Sequence, residues 1–291
     1  MRSPIVTTTA ATLTLGIAGL LVACAPATAP TSSAKTADPF GHVHAIVARG
    51  AETLVATHTG VYVLDEQGAV TGPLGGFDFD AMGFTATADS WFASGHPGPA
   101  TPPELGAPNL GIMRSDDEGE SWASTAFTGI EDFHILTADA DGTLYGIGSS
   151  SPALRTSSDS GVTWTNRAVL DSVADVAVSA ATLYAATESG LLRSADGGET
   201  FAPVADAPLL YSLETWGGQD LVAVSTDGVL WRLTAAGGWE RIGNASGRVQ
   251  AISGAAEGAV LLADDRGIVR IAPDSDQPTI LHPSAPAGAD R

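Results

Sequence analysis

Histidines concentrate in the first half of the sequence, where acidic residues accompany them. The candidate ligand-binding residues are His42, His44, His58, Asp80, His96, Asp132 and His134. Imidazole groups beside carboxylates suit Zn, Cu, Ni or Fe ions, and two or three of these histidines with one aspartate would complete a ligand set. The five histidines are therefore candidate metal ligands, with Zn or Cu as the expected ion. The alternative is that these side chains form an ordinary polar lining of a channel.

The positions of these residues in predicted strands give them a common location. First strands begin at or just after His42, His44, Asp80, Asp132 and His134, and second strands end at His58 and His96. In a blade of four antiparallel strands, both of these points emerge on the same face. We therefore expect the histidines to converge on one mouth of a central channel. Met82 could add a thioether ligand for copper, although the pattern favours a buried core position.

Three sequence segments predict the same tight turn. RSDDEGESW, TSSDSGVTW and RSADGGETF all fit S-x-D-x-G-x-[ST]-[WF], with aspartates that are 42 and 37 residues apart. In such a turn the Ser and Asp side chains can bond backbone amides, the Gly supplies a positive φ, and the aromatic residue packs the turn onto the sheet. The residues with this structural role are Ser115, Asp117, Gly119, Trp122, Ser157, Asp159, Gly161, Trp164, Ser194, Asp196, Gly198 and Phe201.

Short apolar runs between these turns and around them repeat as six similar units. Their length, and the Gly, Asp, Ser and Pro clusters that separate them, are typical of an all-β protein. Degenerate turns occupy 65–68, 235–239 and 273–277 in the first, fifth and sixth units, and an insertion at 96–108 in the second unit is predicted to be a long loop. The sequence predicts a six-bladed β-propeller of four-stranded antiparallel blades over residues 39–284.

The three turn segments resemble the Asp-box, or BNR, repeat of sialidase-like β-propellers. The wider pattern of GHVHAIV, ATHTGVY, DAMGF, SGHPG and EDFHIL resembles a group of bacterial exported proteins described as glycosylhydrolase-like. This resemblance covers nearly all of the chain after its first 38 residues and implies the propeller fold. A fold, however, does not establish chemistry.

A glycoside hydrolase is the alternative function that this resemblance suggests. It would use two carboxylates from Asp78, Asp80, Glu131 and Asp132, with Asp80 and Asp132 as the candidate catalytic residues. One carboxyl group would need a raised pKa to act as an acid while the other stays ionised. Sialidase chemistry is not expected, because Arg114, Arg155 and Arg193 precede Asp-box turns and should point away from the mouth.

The amino terminus predicts export and lipid anchoring. Residues 1–23 have one basic residue and a long apolar stretch, which is typical of a signal peptide. They end in Leu-Val-Ala before Cys24, which resembles the bacterial lipobox and implies lipidation of this cysteine. Residues 24–38 are predicted to be a flexible tether and residues 285–291 a disordered tail. We expect a protein held by its lipid on the extracytoplasmic face of the bacterial cell membrane.

The composition limits the partners. The formal net charge of -20 gives nucleic-acid binding almost no electrostatic basis, and the single cysteine excludes an intrachain disulfide. Apart from the membrane, the expected partners are a small ligand, a metal ion or a carbohydrate, and the chain is expected to be a monomer. A further alternative is a scaffold whose acidic surface binds a basic protein.

Overall fold

The structure is a computed structural model that describes residues 38–273, 275 and 277–284. The predicted signal peptide, Cys24, the tether before Asp38 and the tail at 285–291 lie outside these residues. Within the described part of the chain, no helix is long and apolar enough to cross a membrane.

Six four-stranded antiparallel sheets follow one another along the chain, which confirms the predicted six-bladed propeller. Blade 1 consists of β1 (Val43–Arg49), β2 (Glu52–Thr57), β3 (Gly60–Leu64) and β4 (Val70–Thr71). Blade 2 consists of β5 (Phe79–Ala86), β6 (Trp91–Pro97), β7 (Ile112–Ser115) and β8 (Ala123–Ala126). Blade 3 consists of β9 (Phe133–Ala138), β10 (Leu144–Gly148), β11 (Ala153–Ser157) and β12 (Thr165–Val169).

The second half of the ring repeats this arrangement. Blade 4 consists of β13 (Val173–Ser179), β14 (Thr182–Thr187), β15 (Gly190–Ser194) and β16 (Ala202–Pro203). Blade 5 consists of β17 (Leu210–Trp216), β18 (Asp220–Ser225), β19 (Val229–Leu233) and β20 (Trp239–Asn244). Blade 6 consists of β21 (Ala251–Gly254), β22 (Val260–Asp264), β23 (Gly267–Ile271) and β24 (Thr279–Pro283). Short 3-10 segments cover Leu74–Gly76, Pro103–Leu105 and Ala256–Gly258.

Neighbouring blades bury their apolar faces against each other. Second strands such as β2 and β22 are buried along nearly their whole length because both of their faces are covered. Each apolar cluster draws its residues from two adjacent blades, and the cluster around Ile46 and Leu261 joins blade 1 to blade 6. The ring is therefore closed by the same packing that joins its other blades.

A β-bulge recurs near the start of the innermost strand. In five blades one residue of that strand has no partner on the second strand, and these residues are His44, Met82, His134, Ala174 and Tyr211. A bulge turns the chain and re-aims the unpaired side chain. All five residues line the same end of the central channel. Met82 is thus half-buried at the channel rather than part of the closed core.

The three S-x-D-x-G turns lie between the third and fourth strands, on the opposite face. In the first, the Ser115 hydroxyl donates to Asp117 over 2.8 Å and accepts the Gly119 N–H over 2.7 Å. Asp117 also accepts the backbone N–H and the hydroxyl of Ser121. The other two turns repeat these bonds. Gly119 has a φ of 85°, a backbone conformation that glycine adopts readily and other residues rarely do.

Candidate functional site

The five mouth histidines form two groups rather than one. The ligand atoms of His42, His44 and His58 lie within 4.8 Å of one another, and those of His96, Asp132 and His134 do the same. The first group belongs to blade 1, and the second spans blades 2 and 3. His42 and His44 precede or begin β1, whereas His58 follows β2, so the alternation of strand direction brings them to one face.

The first group packs as a set of touching rings. The ring of His42 stacks on that of His58 at a centroid distance of 5.1 Å, and His44 contacts both rings edge-on, at 4.9 and 4.5 Å. Asp80 completes the cluster from blade 2, because β5 begins beside these histidines. We call His42, His44, His58 and Asp80 the blade 1 cluster.

Three atoms of the blade 1 cluster form a nearly equilateral triangle. His44 Nε2 and His58 Nδ1 lie 3.0 and 2.9 Å from Asp80 Oδ1, and 3.1 Å from each other. A carboxylate oxygen only accepts hydrogen bonds, so both nitrogens must carry a proton to bond it. Two N–H groups cannot then bond each other. Hydrogen bonds therefore satisfy at most two sides of this triangle.

A metal ion would satisfy all three atoms, because each can present a lone pair to it. Ligands at right angles around an ion with bonds of about 2.1 Å lie about 3.0 Å apart, which matches the triangle. A tetrahedral ion needs about 3.4 Å between ligands, so zinc would require the triangle to expand by about 0.4 Å. Two imidazoles and one carboxylate on one side of an ion leave its other positions open.

The second group, which we call the blade 3 cluster, consists of the two histidines His96 and His134 and one aspartate, Asp132. His134 Nε2 lies 2.6 Å and His96 Nε2 lies 3.5 Å from Asp132 Oδ2. His96 Nδ1 lies 3.4 Å from the carbonyl oxygen of Pro108, a contact in which Nδ1 must be the donor. In a neutral imidazole this leaves a lone pair on Nε2, directed toward the aspartate and available to a cation.

A layer of paired charges supports the blade 3 cluster. Asp132, which is only 3% exposed, accepts a hydrogen bond from the Ser149 hydroxyl. The neighbouring Glu131 is 2% exposed, accepts the N–H and hydroxyl of Ser150, and pairs with Arg155 over 2.5 Å. Arg155 therefore reaches back toward the mouth, contrary to the expectation that it points away. Its guanidinium group also lies over the rings of Phe127 and Phe133.

Electrostatics keep the mouth aspartates ionised and one histidine neutral. Burial acts to raise the pKa of Asp80, but hydrogen bonds from His44 and His58 outweigh it, so the pKa lies below its ordinary value. At Asp132 burial again acts to raise the pKa. The hydrogen bond from Ser149 and the nearby His134 outweigh it, so this pKa is also lowered. Burial, followed by the nearby histidines and Arg248, lowers the pKa of His42. Ionised carboxylates and neutral imidazole are the forms that bind metal.

These lowered pKa values do not suit the glycoside hydrolase alternative. A general acid needs a raised pKa, and Asp80 and Asp132 both have lowered values. Of the other two candidate carboxylates, Asp78 accepts the Ala100 N–H, and Glu131 pairs with Arg155. Both carboxylates therefore already have bonding partners within the protein.

The channel itself contains two carboxyl groups that the sequence interpretation missed, Asp175 and Glu214. They line a cavity of about 380 Å³ that opens at the mouth. Burial raises the pKa of Glu214 to about 8, and that of Asp175 to about 6 despite backbone hydrogen bonds from Leu213 and Val176. Both acids lie within innermost strands, in VADVAVS and LYSLETW, and that position was the signal available in the sequence.

Tyr211 is the bulge residue of blade 5 and lines the mouth cavity. The sixth histidine, His282, lies apart from both clusters, 3.6 Å from Asp38 and edge-on to Phe40.

Solved structures resemble this chain in fold. The GH74 xyloglucanase of Xanthomonas campestris matches with a TM-score of 0.53 and 21% identity, over 82% of this chain and 45% of the xyloglucanase. Virginiamycin B lyase of Staphylococcus aureus matches with a TM-score of 0.55 and 15% identity, over 82% of this chain and 83% of the lyase. A catalytically inactive histidine-to-alanine variant of that lyase, with quinupristin, also has a TM-score of 0.55, at 13% identity over the same shares.

These likenesses establish the propeller fold and nothing finer, since all the identities are low. This chain spans less than half the length of the xyloglucanase. No protein-family model matches the sequence, and no curated protein matches it. The described residues thus form a six-bladed β-propeller with two His/Asp clusters that could bind metal at one mouth of its channel.

Proposed function

We propose that this protein binds divalent transition-metal ions at the mouth of its channel, one in the blade 1 cluster and one in the blade 3 cluster. The observation that supports this most strongly is the triangle of His44, His58 and Asp80, whose three contacts cannot all be hydrogen bonds. Zinc and copper are the expected ions because imidazole and carboxylate are ligands for both.

The cellular setting is part of the same proposal. The lipobox before Cys24 would attach the chain to the extracytoplasmic face of the membrane, where the propeller would meet ions from the surroundings. The S-x-D-x-G turns support a place among the Asp-box proteins. The glycoside hydrolase alternative is supported by the fold of the xyloglucanase alone.

Metal analysis tests this function. The protein is purified without a histidine tag, dialysed against Zn²⁺ or Cu²⁺, and its metal content is measured by mass spectrometry. We expect two ions per chain, and one ion in the His58→Ala variant, which breaks the triangle. The matched control is His282→Ala, which removes the one histidine outside both clusters and should leave two ions. A wild-type chain that retains neither metal would contradict the proposal.

A further inference from the structure

The mouth cavity has two chemically different sides. Blades 1 and 3 contribute His42, His44 and His134, and blades 5 and 6 contribute Tyr211, Arg248 and Gln250. The first side supplies electron pairs to a cation. The second side supplies hydrogen-bond donors and a positive charge.

Arg248 is unusual among the arginines of this acidic protein. Eight of the ten arginines in the described residues bond a side chain through their guanidinium group, seven of them an acidic one. Within that part of the chain, only Arg193 and Arg248 form no such contact. Arg193 lies at the far end of β15, next to a turn. Arg248 instead lines the cavity that also contains His42.

A residue near Arg248, Gln250, also offers hydrogen-bond donors. Gln250 accepts the Val43 N–H over 2.7 Å with Oε1, and this fixes the amide with its NH₂ group unbonded by the described residues. The charge of Arg248 is close enough to contribute to the lowered pKa of His42. An unpaired positive charge beside a cation site repels the cation, unless an anion lies between them.

We propose that the metal-loaded blade 1 cluster and Arg248 together bind a small carboxylate, which takes one of the open positions on the ion and accepts hydrogen bonds from the guanidinium group. This inference rests on the proposed metal binding and names the class of ligand that it serves. Guanidinium groups match the planar geometry of a carboxylate. A volume of about 380 Å³ restricts the ligand to a small molecule.

The cavity favours a carboxylate over a phosphate. Asp175 lines the cavity, and the ionised Asp80 contacts His44 at its edge, whereas Glu214, with a pKa raised to about 8, is mostly protonated at pH 7. A monoanion suffers less repulsion from these groups than a phosphate dianion does. The same oxyanion geometry would otherwise suit both ligands, so the two can be compared directly.

Cobalt(II) provides a reporter for the ion. The His96→Ala variant, which disables the blade 3 cluster, is loaded with Co²⁺ and titrated with sodium acetate at constant ionic strength while the visible absorption is recorded. We expect a saturable change in the spectrum. Arg248→Gln in the same background should bind acetate roughly fivefold to tenfold more weakly, and Arg248→Lys should lie between the two. The matched control, Arg193→Gln, should bind acetate as tightly as the parent.

Any other result of this experiment would overturn one identifiable part of the proposal. Equal acetate binding by Arg248→Gln and Arg193→Gln, or a cobalt spectrum that acetate does not change, would overturn the carboxylate site and leave the metal site in place. Phosphate that binds more tightly than acetate would overturn the choice of a carboxylate. Failure of the protein to bind cobalt, zinc or copper would overturn the metal site, and the carboxylate proposal with it.

Discussion

The two faces of this propeller use similar side chains for opposite purposes. In the S-x-D-x-G turns, the Asp196 carboxylate accepts hydrogen bonds from Ser194 and from both donors of Thr200. At the mouth, the Asp80 carboxylate meets two imidazole nitrogens that also contact each other. The turn satisfies its polar groups within itself, whereas the mouth cluster has one close contact between two nitrogens that hydrogen bonding to Asp80 leaves unused.

This difference separates structural from functional polar residues. A polar network whose donors all have acceptors stabilises the fold, and removing one member leaves a group unsatisfied. At the mouth, both imidazoles can donate to Asp80, but the contact between His44 and His58 is then not a hydrogen bond, and the proposed cation would turn it into a pair of bonds to metal. Stability measurements on single variants can therefore distinguish the two faces.

The largest effect is expected beneath the mouth, where Arg155 pairs with the buried Glu131. Arg155→Leu leaves that carboxylate without its partner, and breaking a buried pair in this way costs about 3–5 kcal/mol. At about 2–4 °C per kcal/mol, thermal unfolding by calorimetry should show Tm lower by about 6–20 °C. The control is Arg114→Leu, which removes an exposed pair with Asp116 worth about 1 kcal/mol or less. Equal losses would show that the mouth lacks a rigid supporting layer.

Zinc should have the next largest effect. At a free concentration of about one hundred times its Kd, one bound ion adds about 2.7 kcal/mol to the free energy of unfolding, which raises Tm by about 5–10 °C. EDTA should reverse the shift. In Asp80→Asn the rise should fall to the contribution of the blade 3 cluster alone. The turn variant Asp159→Asn should retain the full rise, and a loss of the zinc effect there would contradict the separation of the two faces.

The sequence predicted one face better than the other, for a physical reason. Each S-x-D-x-G turn is local, so the residues that bond one another lie within four positions in the sequence. The convergence of the histidines follows from alternating strand direction and was also expected. Their division into two clusters was not, because the sequence gives no distances between side chains of neighbouring blades and does not show bulges such as that at His44. A one-residue bulge reverses which side chains face the channel, and apolar periodicity does not reveal it.

Metal-free stability gives the third comparison. Ser194 is 1% exposed, donates to Asp196 and accepts the Gly198 N–H, so Ser194→Ala should cost about 1–2 kcal/mol. His58→Ala in EDTA should cost less than about 1 kcal/mol, because the His58 side chain is half exposed and water can replace its hydrogen bond to Asp80. Urea titration monitored by fluorescence measures both values. A loss for His58→Ala as large as that for Ser194→Ala would mean that the mouth histidines are structural.

The smallest effect concerns Glu214, which belongs to neither face. Its pKa is raised from 4.5 to about 8 in the folded protein, so folding favours its protonated form. The folded protein has its full free energy of unfolding with respect to this group below pH 4.5, where Glu214 is protonated in both states. This free energy falls as pH rises through about 8, because the side chain ionises more readily in the unfolded chain than in its buried site. Asp175, with a pKa raised to about 6, acts in the same direction but is present in every variant compared.

Glu214→Gln removes this titration while keeping the shape of the side chain. The open channel admits water, which reduces the cost of the charge on Glu214. We therefore expect the free energy of unfolding of the variant to exceed that of the wild type by about 1 kcal/mol at pH 9. The gap should close or reverse at pH 5. Calorimetry of both proteins across this range measures the difference. A gap that is the same at both pH values would mean that Glu214 is well solvated, and that the polar environment of the mouth extends through the channel to the face of the turns.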